Sequence, residues 1–340
     1  MPISEYGVLR GKAIAAKREE GAQTPHYQVH IVAGGRHFRI AVNVKSQSSP
    51  SDLLFLVKDR FLHPVTTNLA ILPVGFTPLQ GRPGTGSLDY IRGNLFDRLE
   101  MKTLPANLPG PDNDLSDQME HYVTRAILEP DAVVYAFGQR WGPESVIKDK
   151  VFGFLPGDGV HDIHMNQGNV PPFTDDDGIW QDGALLLQFP SGNQWVSVFL
   201  AFQSQAWHTD DITGHRSGDV PVPGPAPNPD PREPDHAVRI VAAMVNPVGP
   251  APESETVTIL NASPDVINLQ GWQLADMLKN RIGLSGSLNP GESLKIKLPP
   301  GVQLGNKGGI ITLLDNRGLK VDGVAYTEEQ ARREGWTVVF

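Results

Sequence analysis

Short apolar stretches with alternating hydrophobic and polar residues dominate the first part of the chain. Two pairs of such stretches are each joined by a turn: residues 27–32 and 37–44 flank Gly34-Gly35, and residues 184–189 and 194–202 flank Pro190-Ser-Gly-Asn193. A period of two on both sides of a short glycine-containing turn is typical of antiparallel β-hairpins. The pattern therefore predicts two hairpins.

One segment has helical periodicity instead. Its first turn is acidic, and its apolar residues recur at helical spacing: Leu115, Met119, Tyr122 or Val123, and Ile127. This spacing predicts an amphipathic helix from about Leu115 to Leu128, packed on a sheet. The apolar run 132–137 is typical of a strand in the interior of that sheet. Residues 51–61 fit both periods, so helix and strand stay open there.

A proline-rich break divides the chain. Seven prolines lie between Val220 and Asp235, and such a run favours an extended, semi-rigid spacer. After it, about seven short strand-like segments separated by Gly, Pro and Asn turns predict a β-sandwich. We expect a catalytic domain over residues 1–215, a linker over 216–236, a sandwich over 237–327 and a tail over 328–340. The fold class is mainly β, with an α+β N-terminal domain built on a central, mostly antiparallel sheet.

Composition narrows the classes of function. The chain of 340 residues has a formal charge of −9, which argues against broad attraction to nucleic acid or anionic lipid, although a local basic groove is compatible with it. Cysteine is absent, so any metal must be held by His, Asp, Glu or Asn. Neither a signal peptide nor a membrane-spanning run is predicted. We expect a cytoplasmic protein, or one exported without a cleavable signal, and no membrane insertion.

The densest group of polar residues lies between Gly159 and Gly183. If residues 160–166 form a strand, Asp162, His164 and Asn166 share one face, and His161 lies on the other with Ile163 and Met165. A helix would group His161, His164 and Met165, a poorer set for chemistry, and the flanking glycines favour the strand. The sequence therefore predicts a site in this segment.

These residue types suit hydrolysis of a phosphodiester. The reaction needs a base to activate water, stabilisation of the developing charge, and an acid for the leaving group. We expect His164 to be the base or a metal ligand, Asp162 or Asp182 to orient it or bind metal, and Asn166 or Gln167 to hold substrate or water. His161, together with Lys45 or Arg92, would supply the acid and positive charge. The remaining predicted substrate-binding residues are Ser46, Asn169, Gln181 and His208.

A divalent metal, Mg²⁺, Mn²⁺ or Zn²⁺, is an expected cofactor, with Asp162, His164 and Asp182 as its ligands. Neither the His-Glu-x-x-His spacing of zinc hydrolases nor the Gly-x-Ser-x-Gly elbow of serine hydrolases occurs in the sequence. The alternative is that the polar residues form a buried hydrogen-bond network that locks a long loop. The protein would then be a non-catalytic module that binds a carbohydrate, a polymer or a protein.

The C-terminal part resembles the lamin-tail domain over about residues 237–326. The resemblance is carried by Glu255-x-Val-x-Ile-x-Asn261, Leu269-x-Gly-Trp272-x-Leu-x-Asp276, Leu288-x-Pro-Gly291, and Leu304-Gly-Asn-x-Gly-Gly309 with Asp315. It implies an immunoglobulin-like sandwich that serves as an accessory module and binds a protein or polymer. Such domains are often attached to bacterial hydrolases, nucleases among them. Trp272 is expected in the core, and no chemistry is assigned to this domain.

The N-terminal part resembles the YukJ-like bacterial family over residues 6–214. The motifs include His26-Tyr-Gln-Val29, Asn43-Val-Lys-Ser46, Leu88-Asp-Tyr-Ile-Arg92, the segments 159–169 and 180–183, and Phe202-Gln-Ser-Gln205 with Trp207 and Asp210. Asp176-Asp177-Gly178 departs from the Asp-Asn-Gly expected there, which alters metal affinity if that loop holds a metal. The resemblance itself implies no particular activity.

Overall fold

The structure is a computed structural model. It describes residues 6–19, 26–44, 53–79, 95–96, 100–104, 114–161, 183–202, 237–249, 254–278, 280–316 and 320–340. Within these residues the protein is mainly β. No helix among them has the length and apolarity needed to cross a membrane.

The N-terminal part contains ten described strands and two described α-helices. The strands are β1 (Tyr6–Arg18), β2 (His26–Ala33), β3 (Arg36–Asn43), β4 (Leu53–Lys58), β5 (Gly75–Pro78), β6 (Lys102–Thr103), β7 (Val133–Glu144), β8 (Gly157–His161), β9 (Gly183–Phe189) and β10 (Gln194–Phe202). The helices are α1 (Val65–Ala70) and α2 (Asp114–Leu128), and a short 3-10 turn spans Pro190–Gly192.

Five of these strands close into a ring in the order β1-β2-β3-β8-β7. The first half of β1 pairs with β7 and its second half pairs with β2, so one long strand joins both ends of the ring. The pairing of β3 with β8 is parallel, and the other pairings in the ring are antiparallel. Alternation along each strand therefore gives the ring an inner and an outer face.

The remaining strands extend the sheet from the ring. Beyond β7 the order continues β9-β10-β4-β6, and β5 pairs with the first half of β1. The described sheet is mostly antiparallel, as the sequence predicts. Residues 53–58, which the periodicity left open between helix and strand, form β4 and pair with β10.

Two apolar cores cover the two faces of this sheet. The inner face of the ring and helix α2 form one core, to which the helix contributes Leu115, Met119, Val123 and Ala126. Residues of β1, β7, β9 and β10 on the opposite face pack with α1 in a second core. The predicted hairpins, the helix at 115–128 and the buried strand at 132–137 are therefore confirmed.

The C-terminal part is built from two four-stranded sheets and a two-stranded one. Its elements are β11 (Val238–Met244), β12 (Thr256–Asn261), β13 (Ile267–Asn268), β14 (Gln273–Ala275), β15 (Arg281–Gly283), β16 (Ser287–Leu288), β17 (Ser293–Lys297), β18 (Gly308–Leu314), β19 (Lys320–Thr327), α3 (Glu328–Ala331) and β20 (Thr337–Val339). The strand orders are β17-β12-β11-β20, β15-β14-β18-β19 and β13-β16. Both four-stranded sheets contribute to one apolar core, in which Trp272 is buried.

Three polar residues of the lamin-tail motifs are buried and bind main-chain groups. Glu255 Oε2 accepts a hydrogen bond from the Leu304 N–H at 2.8 Å. Asn261 Nδ2 donates to the carbonyl oxygens of Asp265 and Leu288. Asp276 accepts from the N–H groups of Leu278, Asn280 and Gln303. These motif residues therefore stabilise loops, and the immunoglobulin-like arrangement stays a prediction.

Candidate functional site

His161 is the predicted catalytic residue that the structure describes. The other predicted site residues lie outside the described residues: Asp162, His164, Asn166, Asp182, Lys45, Ser46, Arg92, Gln167, Asn169, Gln181 and His208. No three His, Asp or Glu side chains within the described ranges gather closely enough to hold a metal ion. The predicted ligands Asp162, His164 and Asp182 lie outside those ranges.

The strand order brings together the starts of two predicted segments. Because β3 and β8 are parallel, their carboxyl ends lie at the same edge, and Ala41 pairs with His161. Lys45 and Ser46 follow shortly after β3 in the sequence, and Asp162 follows β8 directly. Polar segments that are far apart in the sequence therefore leave the sheet side by side.

The residues that flank the 162–182 segment pair with neighbouring positions of β7. Gln139 pairs with His161, and Phe137 pairs with Ala184, so β8 and β9 meet end to end beside Gly138. A Cβ atom at Gly138 would overlap the carbonyl oxygen of His161. Glycine is therefore required where the chain leaves β8 and returns in β9.

A second imidazole lies next to His161 on the outer face of the ring. The rings of His26 and His161 are 6.0 Å apart between centroids, across the small, buried Ala41 of β3. Both histidines are half-buried. The Trp141 ring lies 4.7 Å from that of His161 on its other side. The end of β8 is therefore lined by two imidazoles and an indole.

A carboxylate orients His26. Glu19 Oε2 lies 3.3 Å from His26 Nδ1 and also accepts a hydrogen bond from the His26 N–H. This hydrogen bonding with His26 lowers the pKa of Glu19 to about 2, although partial burial opposes the shift. Glu19 is therefore ionised at neutral pH, and it fixes the ring so that Nε2 is the nitrogen available to another group.

Asn43 adds an unsatisfied acceptor to this region. It pairs with His26 across the β2–β3 hairpin and is buried, yet its Oδ1 has no hydrogen-bond partner among the residues that the structure describes. Buried polar atoms are normally hydrogen-bonded, so an exception needs an explanation. We call Glu19, His26, Asn43 and His161 the strand-end site.

Comparison with known proteins identifies the N-terminal part. Residues 1–214 match the protein family described as "Uncharacterized conserved protein (DUF2278)". The chain belongs to this family. A relative, "Uncharacterized protein YukJ" of Bacillus subtilis (strain 168), is 44% identical over 214 residues, which is 62% of this chain and 93% of the relative. The strand-end site lies wholly within the DUF2278 region, and the resemblance to YukJ-like proteins is confirmed.

A buried ion pair holds the β7–β8 loop of the DUF2278 region on the outer face of the ring. Arg39 Nε donates to Asp149 Oδ2 at 2.6 Å, and its Nη1 donates to Gln28 Oε1 at 2.8 Å. The guanidinium also lies over the Trp141 ring, 4.6 Å from its centroid. Trp141, which contacts His161, is therefore supported by this ion pair.

Asp149 also organises the loop itself. Its Oδ1 accepts hydrogen bonds from the N–H groups of Val151 and Phe152. Burial alone would raise the pKa of Asp149, but the hydrogen bonds from Phe152 and Arg39 and the charge of Arg39 outweigh it, so this pKa is lowered. The carboxylate is therefore ionised throughout the physiological range.

Four rings form a stacked group where this loop meets the β2–β3 hairpin. The His30 ring lies 4.8 Å from Phe152 and 5.0 Å from Phe154, close to parallel with both. His37 stacks on Phe154 at 5.7 Å, and its Nδ1 lies 2.9 Å from His30 Nε2. His30 and His37 therefore contact each other across the hairpin. We call His30, His37, Phe152 and Phe154 the aromatic platform.

The aromatic platform makes stability depend on pH. Burial, and then the nearby His37, lower the pKa of His30, with Asp149 partly opposing. In the unfolded chain His30 takes up a proton near its ordinary pKa of about 6.5, whereas the folded protein resists it. The contribution of His30 to stability is therefore present above about pH 6.5 and is lost as the pH falls below it. We expect the thermal midpoint to fall less in His30→Phe than in wild type between about pH 7 and pH 5.

His121→Gln, at an exposed position on α2, is the matched control for this measurement. It removes one histidine without touching the platform, so it should keep the pH dependence of the wild type. An identical pH dependence in His30→Phe and wild type would show that His30 does not titrate as described.

Hairpin register alone places some of these residues. The Gly34-Gly35 turn sets Ala33 opposite Arg36, which puts His26 opposite Asn43 and His30 opposite Arg39. His26 and Asn43 were therefore accessible to sequence reasoning as neighbours, although neither was assigned to the site. Glu19 and Asp149 carry no such local signal.

Proposed function

We propose that the DUF2278 region is a hydrolase of the phosphodiesterase or nuclease type that acts at the strand-end site. The observation that carries the proposal is the pair of imidazoles 6.0 Å apart, one of them hydrogen-bonded to the Glu19 carboxylate. The pair lies where the polar segment beginning at Asp162 leaves the sheet. Two neighbouring imidazoles suit the transfer of a proton to the leaving group.

The chemistry assigned to the residues follows from what hydrolysis requires. A base removes a proton from water, the water oxygen bonds to phosphorus, and the phosphorus–oxygen bond to the leaving group breaks. An acid then protonates the departing oxygen. His164 is the proposed base or metal ligand, and His161 and His26 are candidates for the acid. Glu19 is hydrogen-bonded to His26 Nδ1, so its role is to position that ring.

The other proposed contacts concern charge and substrate. Lys45 and Arg92 would neutralise the phosphoryl oxygens. Asn43 Oδ1 offers an acceptor to water or a substrate hydroxyl, since no described residue donates a hydrogen bond to it. A divalent metal, if used, would be held by Asp162, His164 and Asp182 and would polarise the phosphoryl group.

The test is a panel of phosphodiester substrates assayed with and without added Mg²⁺, Mn²⁺ or Zn²⁺. We expect His164→Ala to abolish hydrolysis while the thermal midpoint stays within a few degrees of wild type, because a catalytic side chain contributes little to packing. Metal analysis of the purified protein shows whether it holds a divalent metal, and so whether the assays with added metal are relevant. A large loss of stability in His164→Ala, with no substrate turned over by wild type, would contradict the proposal.

The second candidate function is a non-catalytic binding or attachment protein. The observation that favours it is the hydrogen-bonded network of Gln28, Arg39 and Asp149, which is buried on the same outer face. If residues 162–182 continued this network, their polar groups would lock the loop rather than react. The same substrate panel separates the two candidates.

For the C-terminal part we propose an immunoglobulin-like, lamin-tail-type accessory domain that binds a protein or polymer, joined by a spacer over residues 216–236. The buried motif residues Glu255, Asn261 and Asp276, which bind loop backbone, support a structural purpose for these motifs. Pull-down with the isolated 237–340 segment, compared with the full chain, tests this proposal. Failure of the segment to fold alone would contradict its being a separate domain.

A further inference from the structure

The closed ring has a recognisable strand order. A long first strand pairs with both the second and the fourth, and the third is parallel to the fifth. This is the order of the five-stranded Greek-key OB-fold, with α2 placed before the fourth strand. In that fold the outer face of strands two and three is a common binding surface. Fold alone does not assign a ligand, so the side chains on this face must do so.

The outer face here is rich in rings. Of the six histidines within the described residues, four lie on it: His26, His30, His37 and His161. Trp141 and the two phenylalanines of the platform add three further rings. His37 is exposed, and the other rings are partly exposed. Rings of this kind stack on nucleobases or on sugars.

The charges of the two hairpins that build this face decide between nucleobases and sugars. The β2–β3 and β7–β8 hairpins carry five cations and three carboxylates: Arg36, Arg39, Arg140, Lys148 and Lys150 against Glu144, Asp149 and Asp158. Asp149 and Asp158 are buried and paired with arginines. Apart from Arg36, which is paired with Asp158, the exposed charged side chains of these two hairpins are Lys148, Lys150 and Glu144. The surface is locally basic in a chain of charge −9.

We propose that this outer face binds single-stranded nucleic acid. Bases stack on the aromatic platform, and phosphates contact Lys148 and Lys150. A single strand suits the surface because its bases are free to stack, whereas duplex bases are not. His30 and His26 are four residues apart on β2, about 13 Å, so one bound strand spans the platform and the strand-end site by crossing the β7–β8 loop, under which Gln28 and Arg39 are buried. Binding is independent of the proposed hydrolysis and is measured without it.

The probes are fluorescein-labelled oligo(dT) and oligo(rU), with fluorescence anisotropy followed in EDTA at several salt concentrations. Lys148→Ala/Lys150→Ala should weaken binding and reduce the slope of log affinity against log salt by roughly 1.4, because two phosphate contacts are lost. The matched control is Lys295→Ala/Lys297→Ala, which removes the same charge from exposed positions on β17. It should bind as the wild type does.

Stacking is tested separately at the exposed position. His37→Ala should weaken binding about fivefold or more, and His37→Tyr, which keeps a ring, should restore most of it. Thermal midpoints of all variants show whether each remains folded. Comparison of oligo(dT) with oligo(rU) tells DNA from RNA.

Several results would overturn the inference. One is the absence of oligonucleotide binding at about 100 µM protein, which is the weak limit of non-specific binding. Another is an equal loss of affinity in the Lys148/Lys150 and Lys295/Lys297 double variants. Equal affinity for duplex DNA, or binding of a neutral oligosaccharide or anionic vesicles in place of the oligonucleotides, would also contradict it. If binding is found but no hydrolysis occurs, only the hydrolase proposal fails. Hydrolysis without binding to this face overturns only the present inference.

Discussion

Replacing Asp149 with alanine is expected to lower the free energy of unfolding by about 3–5 kcal/mol, because it leaves a buried arginine without its partner. Arg39 is 5% exposed, and its Nε lies 2.6 Å from the carboxylate. The substitution also removes the acceptor for the N–H groups of Val151 and Phe152. Urea denaturation followed by tryptophan fluorescence measures the change, since Trp141 packs on Arg39.

Two variants make this result specific. Glu144→Ala removes an exposed carboxylate from the end of the same hairpin and should change stability by no more than about 0.5 kcal/mol. The double variant Arg39→Met/Asp149→Ala removes both charges of the ion pair. It should recover part of the unfolding free energy lost in Asp149→Ala, because no unpaired charge stays buried. Equal stability of Asp149→Ala and Glu144→Ala would contradict the role given to the ion pair.

Local pattern was sufficient for elements whose period is strong. The β2–β3 and β9–β10 hairpins and helix α2 follow directly from their apolar spacing and turns. Residues 53–58 illustrate the limit, because an apolar run of that length fits a strand or a buried helix. Pairing with β10, which is distant in sequence, decides in favour of the strand.

Strand β1 shows what pattern could not supply. Its sequence contains Gly7 and Gly11 and several alanines and lysines, which are weak strand formers, and it was not predicted. Both glycines are explained by close neighbours, since a Cβ atom at either would overlap β5 or β2. The strand therefore exists because of its tertiary pairing with β2, β5 and β7.

The sequence predicts which residue types form the site, but it does not predict how they are arranged in space. The polar segment from Gly159 to Gly183 and His161 within it are visible in the sequence. That His161 meets His26 depends on the parallel pairing of β3 and β8, which joins residues over a hundred positions apart. The contact of Glu19 with His26 depends on how the chain turns between β1 and β2. Long-range pairing of this kind has no local signature.

The catalytic role of the imidazole pair leads to the second large effect. If His26 transfers a proton in the reaction, His26→Gln should lower kcat by at least about 100-fold with little change in thermal midpoint. Glu19→Gln keeps a hydrogen bond to the ring and so preserves its orientation, and a smaller loss is expected. His121→Gln, exposed on α2, should match the wild type.

The catalytic role of the imidazole pair is tested most directly by kcat/KM for phosphodiester hydrolysis by wild type, His26→Gln and His161→Gln, with thermal midpoints recorded for each. We expect measurable hydrolysis by wild type and a kcat/KM lower by about 100-fold or more in both variants, each of which remains folded. Hydrolysis by either variant within twofold of wild type, or none by the folded wild type on any phosphodiester, would contradict it.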